Sequence, residues 1–512
     1  MQNSDDYLVI AYAISAFALV LLLICLRFRS WLSRLGSIVR IPVLRHLVYP
    51  TLFAQWSLAD VLASIAYLAL NIFCLWFQCH SLSDAGRRAA DLALIHMVFQ
   101  YAAWHLHSLT SLLGLGWRSV RRLHGLVGIM TLLLLLFHAI VAQMSSKSFP
   151  LDVSDNRGAV LAESAIGVLV LISVPTFRNK FYEVFMRLHQ GLAILSIYGI
   201  WEHLALQSPL ARLCFYVLIG TSALSMLFLS CLIIHRNGLL GYGFPRTSIN
   251  NSGDVILLKV ALSRPVIVDA GQSICLWVLT PSAKLRSLWQ MHPFVVASWS
   301  DSPLETLDLL VEPRSGLTQK LLQFSKSQKA QKTCLALFGG PHGTSIPVTD
   351  YDVVLMVASG YGIAAQLPYL KKLIYEFNSR KARTRRIHLV WKLETLELAA
   401  AVKDLLNSAL MEDTLDDGYI LKISIYIEEI FQGDDISPRV TIMKGIPDFD
   451  AILREEVEGT YIRRVQENEK KREDMMVLVS ASAGVRHALR KLVRGYLGSK
   501  VDLTELDYQP EM

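Results

Sequence analysis

Four histidines repeat one spacing in two apolar stretches: His124 and His138 stand fourteen residues apart, as do His189 and His203. Fourteen helical steps of about 100° return to within about 40° of the start, so each pair shares one side of its helix, about 21 Å apart along the axis. An ionisable side chain inside lipid is costly to bury and marks function by default. If both helices cross the bilayer in the same direction, His124 faces His189 at one level and His138 faces His203 at the other. One imidazole from each helix at each level is a ligand set for two stacked haems. A zinc ion is a poorer match, because ligands about 21 Å apart cannot share it. A lone membrane histidine more often hydrogen-bonds a neighbouring helix, and only the matched pairing points to metal. His96, His105 and His107 do not repeat it and read as polar packing or secondary pocket groups. Arg118, Arg121 and Arg122 read equally as partners for haem propionates and as topology determinants.

A second chemistry is written in glycines. Ser359-Gly-Tyr-Gly-Ile363 follows an apolar β-type run and precedes a helical pattern, an order that aims free helix N–H groups at a pyrophosphate. Gly339-Gly-Pro-His-Gly343 reads as a second loop of this kind. Gly316-Leu-Thr318, before Leu321-Leu322, is a third phosphate-facing helix start, with the Thr318 hydroxyl as donor.

The elements that must position these groups divide the 512 residues in two. A hydrophobic share of 53% and a mean hydropathy of +0.39 exclude a wholly soluble chain, and charge is concentrated after residue 236. Seven apolar stretches are expected to span a membrane: 7–26, 61–79, 92–117, 123–146, 159–177, 181–206 and 213–234. Asp5 and Asp6 precede the first, where a signal peptide would carry basic residues, so it reads as an uncleaved helix with its N-terminus outside. Eleven basic residues in one set of loops, against Arg87, Arg88, Lys147, Arg157 and Arg212 in the other, favour the same orientation and a cytosolic second half. The net charge of +7 is what such loops supply and implies no nucleic acid. Seven scattered cysteines form neither a zinc spacing nor a disulfide framework.

After Gly238-Leu-Leu-Gly-Tyr-Gly243, β-type runs at 255–260 and 273–278 predict a small β-barrel. From about 350, strands at 353–357, 387–391, 423–427 and 475–479 alternate with helices at 364–378, up to about 411, and from 484, predicting a parallel α/β nucleotide-binding layout. The stretch 454–473, dense in Glu, Arg and Lys, reads as a solvated helix or loop without an apolar face.

Taken together, the two histidine pairs, His292-Pro-Phe294, Gly316-Leu-Thr318, Gly340-Pro-His-Gly343 and Gly360-Tyr-Gly-Ile363 occur in the order found in one family. From about residue 90 to 512 the chain resembles the ferric-chelate reductase branch of the ferric reductase and NADPH oxidase superfamily. The resemblance implies a polytopic α-helical membrane domain with a four-helix core holding two b-type haems on His124, His138, His189 and His203. It also implies a cytosolic ferredoxin-reductase-like module made of an antiparallel FAD-binding β-barrel and an α/β NADPH-binding domain. By carry-over, His292, Pro293 and Phe294 line the flavin, Gly316 and Thr318 its pyrophosphate, and Gly360, Gly362 and Ile363 the nicotinamide nucleotide, while Gly340 and Gly343 belong to the cofactor-binding set. Tyr508 resembles the C-terminal aromatic that family members stack on the flavin, and reads equally as a surface tyrosine. Four positions depart from the family pattern. Val295 stands where a hydroxyl residue is usual, Ser359 where a glycine is, His342 where a tyrosine is, and Ser480-Ala-Ser482 where Cys-Gly-Pro is.

The expected domains are 1–55, an N-terminal span and loop; 56–236, the haem domain; 237–346, the FAD-binding barrel; and 347–512, the NADPH-binding domain. The expected function is transfer of electrons from cytosolic NADPH through FAD and two haems to an extracytoplasmic ferric or cupric chelate, siderophores included. No side chain need act as acid or base. The plasma membrane is the expected location, with an organelle membrane as the alternative. A superoxide-generating oxidase is the alternative function, and a fourteen-residue step in both helices fits the reductases better. A transporter or receptor that merely senses nucleotide is a reading from another class.

Overall fold

The computed structural model describes residues 9–16, 58–102, 106–114, 116–145, 149–204, 209–239, 241, 243–279, 291–314, 316–326, 332–414, 420–428, 439–459, 474–496 and 500–508. The chain divides into two compact units, Met1–Cys231 and Leu232–Glu511.

The first unit is helical: α1 (Leu58–Trp76), α2 (Leu82–Ala102), α3 (Leu106–Leu113), α4 (Trp117–Ser145), α5 (Ser154–Ile172), α6 (Pro175–Lys180), α7 (Tyr182–His203) and α8 (Pro209–Arg236). The predicted span at 92–117 falls on α2 and α3, with 103–105 outside the described residues, and α2 begins before it. Local chemistry overrides average hydropathy there: the Ser81 hydroxyl accepts from Asp84 N at 3.1 Å and starts α2 ten residues early. Gly114, at φ +67, lies between α3 and α4. Arg87 and Arg88, expected in a loop, therefore fall inside α2. Arg88 is buried, and its guanidinium donates to the Cys74 carbonyl at 3.2 Å and to the Phe77 carbonyl, at the C-terminal end of α1 where unpaired carbonyls concentrate negative charge.

Among the described residues, α4 and α8 are long and apolar enough to cross a bilayer, and α1 is apolar but shorter. The charges and imidazoles of α2, α5 and α7 lower their mean hydropathy, because those helices face one another rather than lipid alone. Leu133 and Ile140 of α4 and Leu224, Leu227 and Phe228 of α8 are exposed, as lipid-facing side chains would be. Glycines bring two helix pairs close. A Cβ on Gly86 of α2 would stand 2.7 Å from Val141 of α4, and one on Gly158 of α5 would stand 2.7 Å from Gly199 O of α7. Of the predicted first span, only 9–16 lies within the described residues, and it is helical.

The second unit holds two sheets. Strands β1 (Arg246–Ser252), β2 (Val255–Val266), β3 (Ser273–Leu279), β4 (His292–Val295), β5 (Leu304–Val311) and β6 (Lys332–His342) form an antiparallel sheet ordered β4-β3-β6-β1-β2-β5, with α9 (Leu317–Lys326) against β1 and β2. Ala297 N donates to Asp308 O at 2.8 Å, tying the chain after β4 to β5 and closing the sheet into the expected barrel. Alternate residues such as Ile256, Leu258 and Val260 point inward to Ile274, Leu276 and Phe338. The run Gly339–His342, expected as a loop, is instead the end of β6, with Gly339 opposite Cys275 and His342 opposite Ser273. Strand pairing overrides the glycine signal there.

The other sheet comprises β7 (Val353–Ser359), β8 (Arg386–Leu393), β9 (Leu421–Ile427), β10 (Val440–Lys444), β11 (Met475–Ser480) and β12 (Val501–Glu505), ordered β10-β9-β8-β7-β11-β12 and wholly parallel. Helices α10 (Ile363–Asn378), α11 (Leu396–Glu412), α12 (Phe449–Glu458) and α13 (Ala483–Arg494) intervene. The solvated reading of 454–473 fails at its start. In α12, Ile452 and Leu453 enter the core, Val457 packs on it, and Glu456 is buried against Arg386 and His388 of β8 at 3.1 and 2.7 Å. Residues 460–473 lie outside the described residues.

Candidate functional site

The helical unit brings the four histidines together as two pairs. His124 of α4 and His189 of α7 have ring centres 6.2 Å apart, and His138 and His203 have theirs 6.4 Å apart. First thus meets first and second meets second, so α4 and α7 run in the same direction. Two nitrogens each about 2 Å from one metal, with the ring centre roughly 1.1 Å beyond each nitrogen, give a separation of about 6 Å, so each pair is spaced as two imidazoles sharing one metal ion would be.

Neighbouring helices orient the second pair. His138 Nδ1 lies 2.9 Å from the Gly86 carbonyl, at the point where α2 crosses α4. His203 Nδ1 lies 3.2 Å from the Asp155 carbonyl of α5, three residues before the Gly158 crossing. The Asp155 carboxylate Oδ1 is 2.7 Å from the same nitrogen, within ion-pair range but off the line of a hydrogen bond. A proton held on Nδ1 by these oxygens leaves the Nε2 lone pair for a metal. In the first pair, His124 Nδ1 and His189 Nδ1 are buried without a hydrogen-bond partner.

The remaining membrane histidines behave differently. His96 is buried with both nitrogens engaged, Nδ1 by Leu92 O at 2.6 Å and Nε2 by Tyr12 Oη at 3.1 Å, so it is a packing residue. His105 and the side chain of His107 lie outside the described residues. Arg122 pairs with Asp60 of α1 at 2.6 Å.

In the second unit, β4, the start of α9 and the C-terminal tail converge. Val295 N donates to Tyr508 O at 3.3 Å, which puts the tail beside His292-Pro-Phe294. Tyr508 Oη donates to Glu312 Oε2 at 2.9 Å and accepts from Arg314 Nη2 at 3.1 Å, and the Arg314 guanidinium stands 5.7 Å over its ring. Burial and the Glu312 carboxylate push the Tyr508 phenol up to about 12. Tyr508 is half-buried, with its hydroxyl held by two side chains. Thr318 is buried, and its hydroxyl accepts from Arg314 N at 2.8 Å, which shapes the turn at Gly316, where φ is +78. His292 is buried, and burial lowers its imidazole to about 4, so it is neutral. Phe294 packs into the barrel core. Pro293 is buried opposite Cys275 on β3.

The glycine loop lies at the carboxyl end of β7. Gly360–Gly362 makes a 3-10 turn into α10 at Ile363. Gly362 sits against β11 so closely that a Cβ would overlap the Ser480 carbonyl. Gly340, at φ +118, and Gly343, at φ +102, flank the last residues of β6 instead, and Arg236 donates to the Gly340 carbonyl.

Three family models match in chain order. They are a ferric reductase like transmembrane component at residues 89–200, an FAD-binding domain at 242–346, and a ferric reductase NAD binding domain at 351–490. The chain belongs to the ferric reductase family. Its relatives include ferric reductase transmembrane component 3 of Saccharomyces cerevisiae, 29% identical over 42% of this chain and 29% of that protein. A probable cell surface ferric reductase of Aspergillus oryzae is 25% identical over 70% of this chain and 50% of that protein. Ferric reductase transmembrane component 1 of Schizosaccharomyces pombe is 23% identical over 59% of each. The matches thus span less than two thirds of these relatives' length.

Within this ferric reductase domain set, two of the four departures touch each other. Ser359 Oγ accepts from Ser482 N at 2.7 Å. A glycine at 359 has no such oxygen and a proline at 482 has no such N–H, so the two serines form a link that the usual pattern lacks. Ser480 Oγ, at the position of the usual thiol, is buried without a partner. Val295 is buried, and its N–H holds the C-terminal tail. Sequence reasoning missed Gly86, Asp155, Gly158, Glu312 and Arg314. The small residues in apolar runs were a visible signal, but the crossings they permit are long-range.

Proposed function

We propose that this chain is a transmembrane oxidoreductase that delivers single electrons, drawn from a reduced nicotinamide nucleotide on the cytosolic side, to a ferric or cupric chelate on the other side. The observation that carries the reading is the register of the two histidine pairs, each spaced so that its two imidazoles could share one iron. In this reading the residues after Arg236 are cytosolic, the N-terminus lies outside and the membrane is the plasma membrane.

When bound, a flavin converts a two-electron hydride donor into a source of single electrons and a haem carries them singly, chemistry that side chains lack. His124 with His189, and His138 with His203, would hold two haems. Gly86 and Asp155 hold protons on the outer rings, so those imidazoles remain neutral ligands. The Gly316–Thr318 turn and the first N–H groups of α9 would receive the flavin pyrophosphate. Glu312 and Arg314 fix the ring of Tyr508 beside β4, where it would cover the flavin. Gly360, Gly362 and Ile363 would seat the nucleotide pyrophosphate at the start of α10, and the unpartnered Ser480 hydroxyl is available to the nicotinamide end. NADPH is the donor implied by the resemblance. NADH is identical except at the adenosine ribose, so the choice between them depends on other residues.

The test is a spectrum of detergent-purified protein before and after each nucleotide, with pyridine haemochrome analysis and ferrous iron trapped by a chelator. The expected result is two low-spin haems, reduced on nucleotide addition, and ferrous production that superoxide dismutase leaves unchanged. Fewer than two haems would refute the paired-ligand reading. Loss of the ferrous signal with dismutase would replace the reductase by a superoxide-producing oxidase.

A further inference from the structure

A dinucleotide lies across the carboxyl ends of a parallel sheet at the point where strand order reverses. In this sheet the reversal falls between β7 and β11. The flavin-side residues identify which half of the nucleotide goes where. Tyr508 follows β12, Leu506 N donates to Val479 O of β11 at 2.8 Å, and Val295 N holds the Tyr508 carbonyl. The nicotinamide must therefore lie toward β11 and β12, and the adenosine half over the ends of β8 and β9.

The charges at those ends are specific. Lys392 of β8 and Glu428, the residue after β9, form an ion pair at 2.7 Å. Glu428 N donates to Leu393 O at 3.3 Å, which holds the two strand ends level. Glu394 is exposed beside them. Lys444, another cation of this edge, ends β10, one strand further from the switch point.

A ribose 2′-phosphate carries between about one and a half and two negative charges and seeks cations with free N–H donors. Here Lys392, the described cation next to the switch point on the adenosine side, is already neutralised by Glu428, and the exposed Glu394 leaves the described charge at these strand ends negative. A ribose diol, in contrast, donates hydrogen bonds to a carboxylate, the usual device for the unphosphorylated nucleotide. We propose that the adenosine end of this site selects NADH over NADPH and that Glu428 is the specificity-determining residue. This rests on the reading of the second unit as the nucleotide-oxidising module, and it departs from the NADPH that the family resemblance implies.

The test uses the full chain, purified in detergent with its cofactors. Calorimetric titration compares 5′-AMP with 2′,5′-ADP, which differ only in the 2′-phosphate, and flavin bleaching compares NADH with NADPH. The wild type should bind 5′-AMP about tenfold more tightly than 2′,5′-ADP, and NADH should bleach the flavin at correspondingly lower concentration. Glu428→Gln removes the acid and releases Lys392, so 2′,5′-ADP binding should strengthen about fivefold or more while 5′-AMP binding does not. Tighter wild-type binding of 2′,5′-ADP than of 5′-AMP would overturn the inference. So would a Lys392→Gln variant that loses a wild-type preference for 2′,5′-ADP. If 5′-AMP is preferred but neither dinucleotide bleaches the flavin, the selectivity stands and the oxidoreductase reading fails.

Discussion

Replacing Gly158 with alanine should detach one haem and spare the other. The added Cβ would stand 2.7 Å from Gly199 O, from His203 N and from the Glu202 Cβ. Ordinary carbon contacts lie near 3.5 Å, so α5 must withdraw from α7 by roughly 0.8 Å, because backbone atoms of a helix cannot rotate aside. Asp155 lies one helical turn before Gly158 and moves with it. Its carbonyl, now 3.2 Å from His203 Nδ1, would then sit about 4 Å away, beyond hydrogen-bonding range. Loss of such a supporting contact commonly costs about 10- to 100-fold in metal affinity. Overpacking adds about 1–3 kcal/mol of general destabilisation. Pyridine haemochrome analysis of the purified variant should show occupancy falling from two haems toward one, with the His124 and His189 site retained. Gly86→Ala is the contrast, since the three atoms nearest the added Cβ belong to the Val141 side chain rather than to backbone, and its effect should be smaller. A Gly158→Ala protein with two haems and an unaltered spectrum would refute the claim that the α5–α7 crossing holds His203 in place.

Ser359→Gly and Ser482→Pro should each weaken nucleotide binding by a few fold, and the double variant should be no worse than the singles, since both remove one hydrogen bond; a double-mutant cycle with additive losses would show that the serines act independently. Asn250 of the Asn-Asn-Ser sequon is exposed on β1 and should stay bare when the protein is made in a eukaryotic host, so a glycan found there by mass spectrometry would invert the topology. Burial alone would raise the Glu456 carboxyl, but the His388 and Arg386 hydrogen bonds hold it below the usual carboxylate range. Its contribution to stability is thus present above the unfolded value near pH 4.5 and is lost as pH falls through the lower folded value. Glu456→Gln, which leaves the Arg386 charge without its partner, should cost about 3 kcal/mol at neutral pH in chemical unfolding, and a cost below about 1 kcal/mol would show that the pair is not coupled to folding.

Features set by local period and residue order were determined by the sequence alone. A fourteen-residue repeat in two apolar helices requires same-side histidines, alternation of β-type runs announces the barrel, and β7, β8, β9 and β11 show as apolar runs because both faces of a parallel sheet are buried. The edge strands β10 and β12 escaped notice because only one side of each is paired, and Val440–Lys444 and Val501–Glu505 carry the mixed residues that half-exposed edges tolerate. Tertiary structure decided everything that depends on which segments touch. It moved the start of α2 to Ser81, turned Gly339–His342 into strand, and gave the buried Glu456 a partner seventy residues away in Arg386. It also set the supports of the second histidine pair, since Gly86 and Asp155 lie 52 and 48 residues from the imidazoles they hold. Helical period can aim a histidine at a neighbouring helix, but only the crossing of two backbones at a glycine determines which carbonyl will meet its far nitrogen.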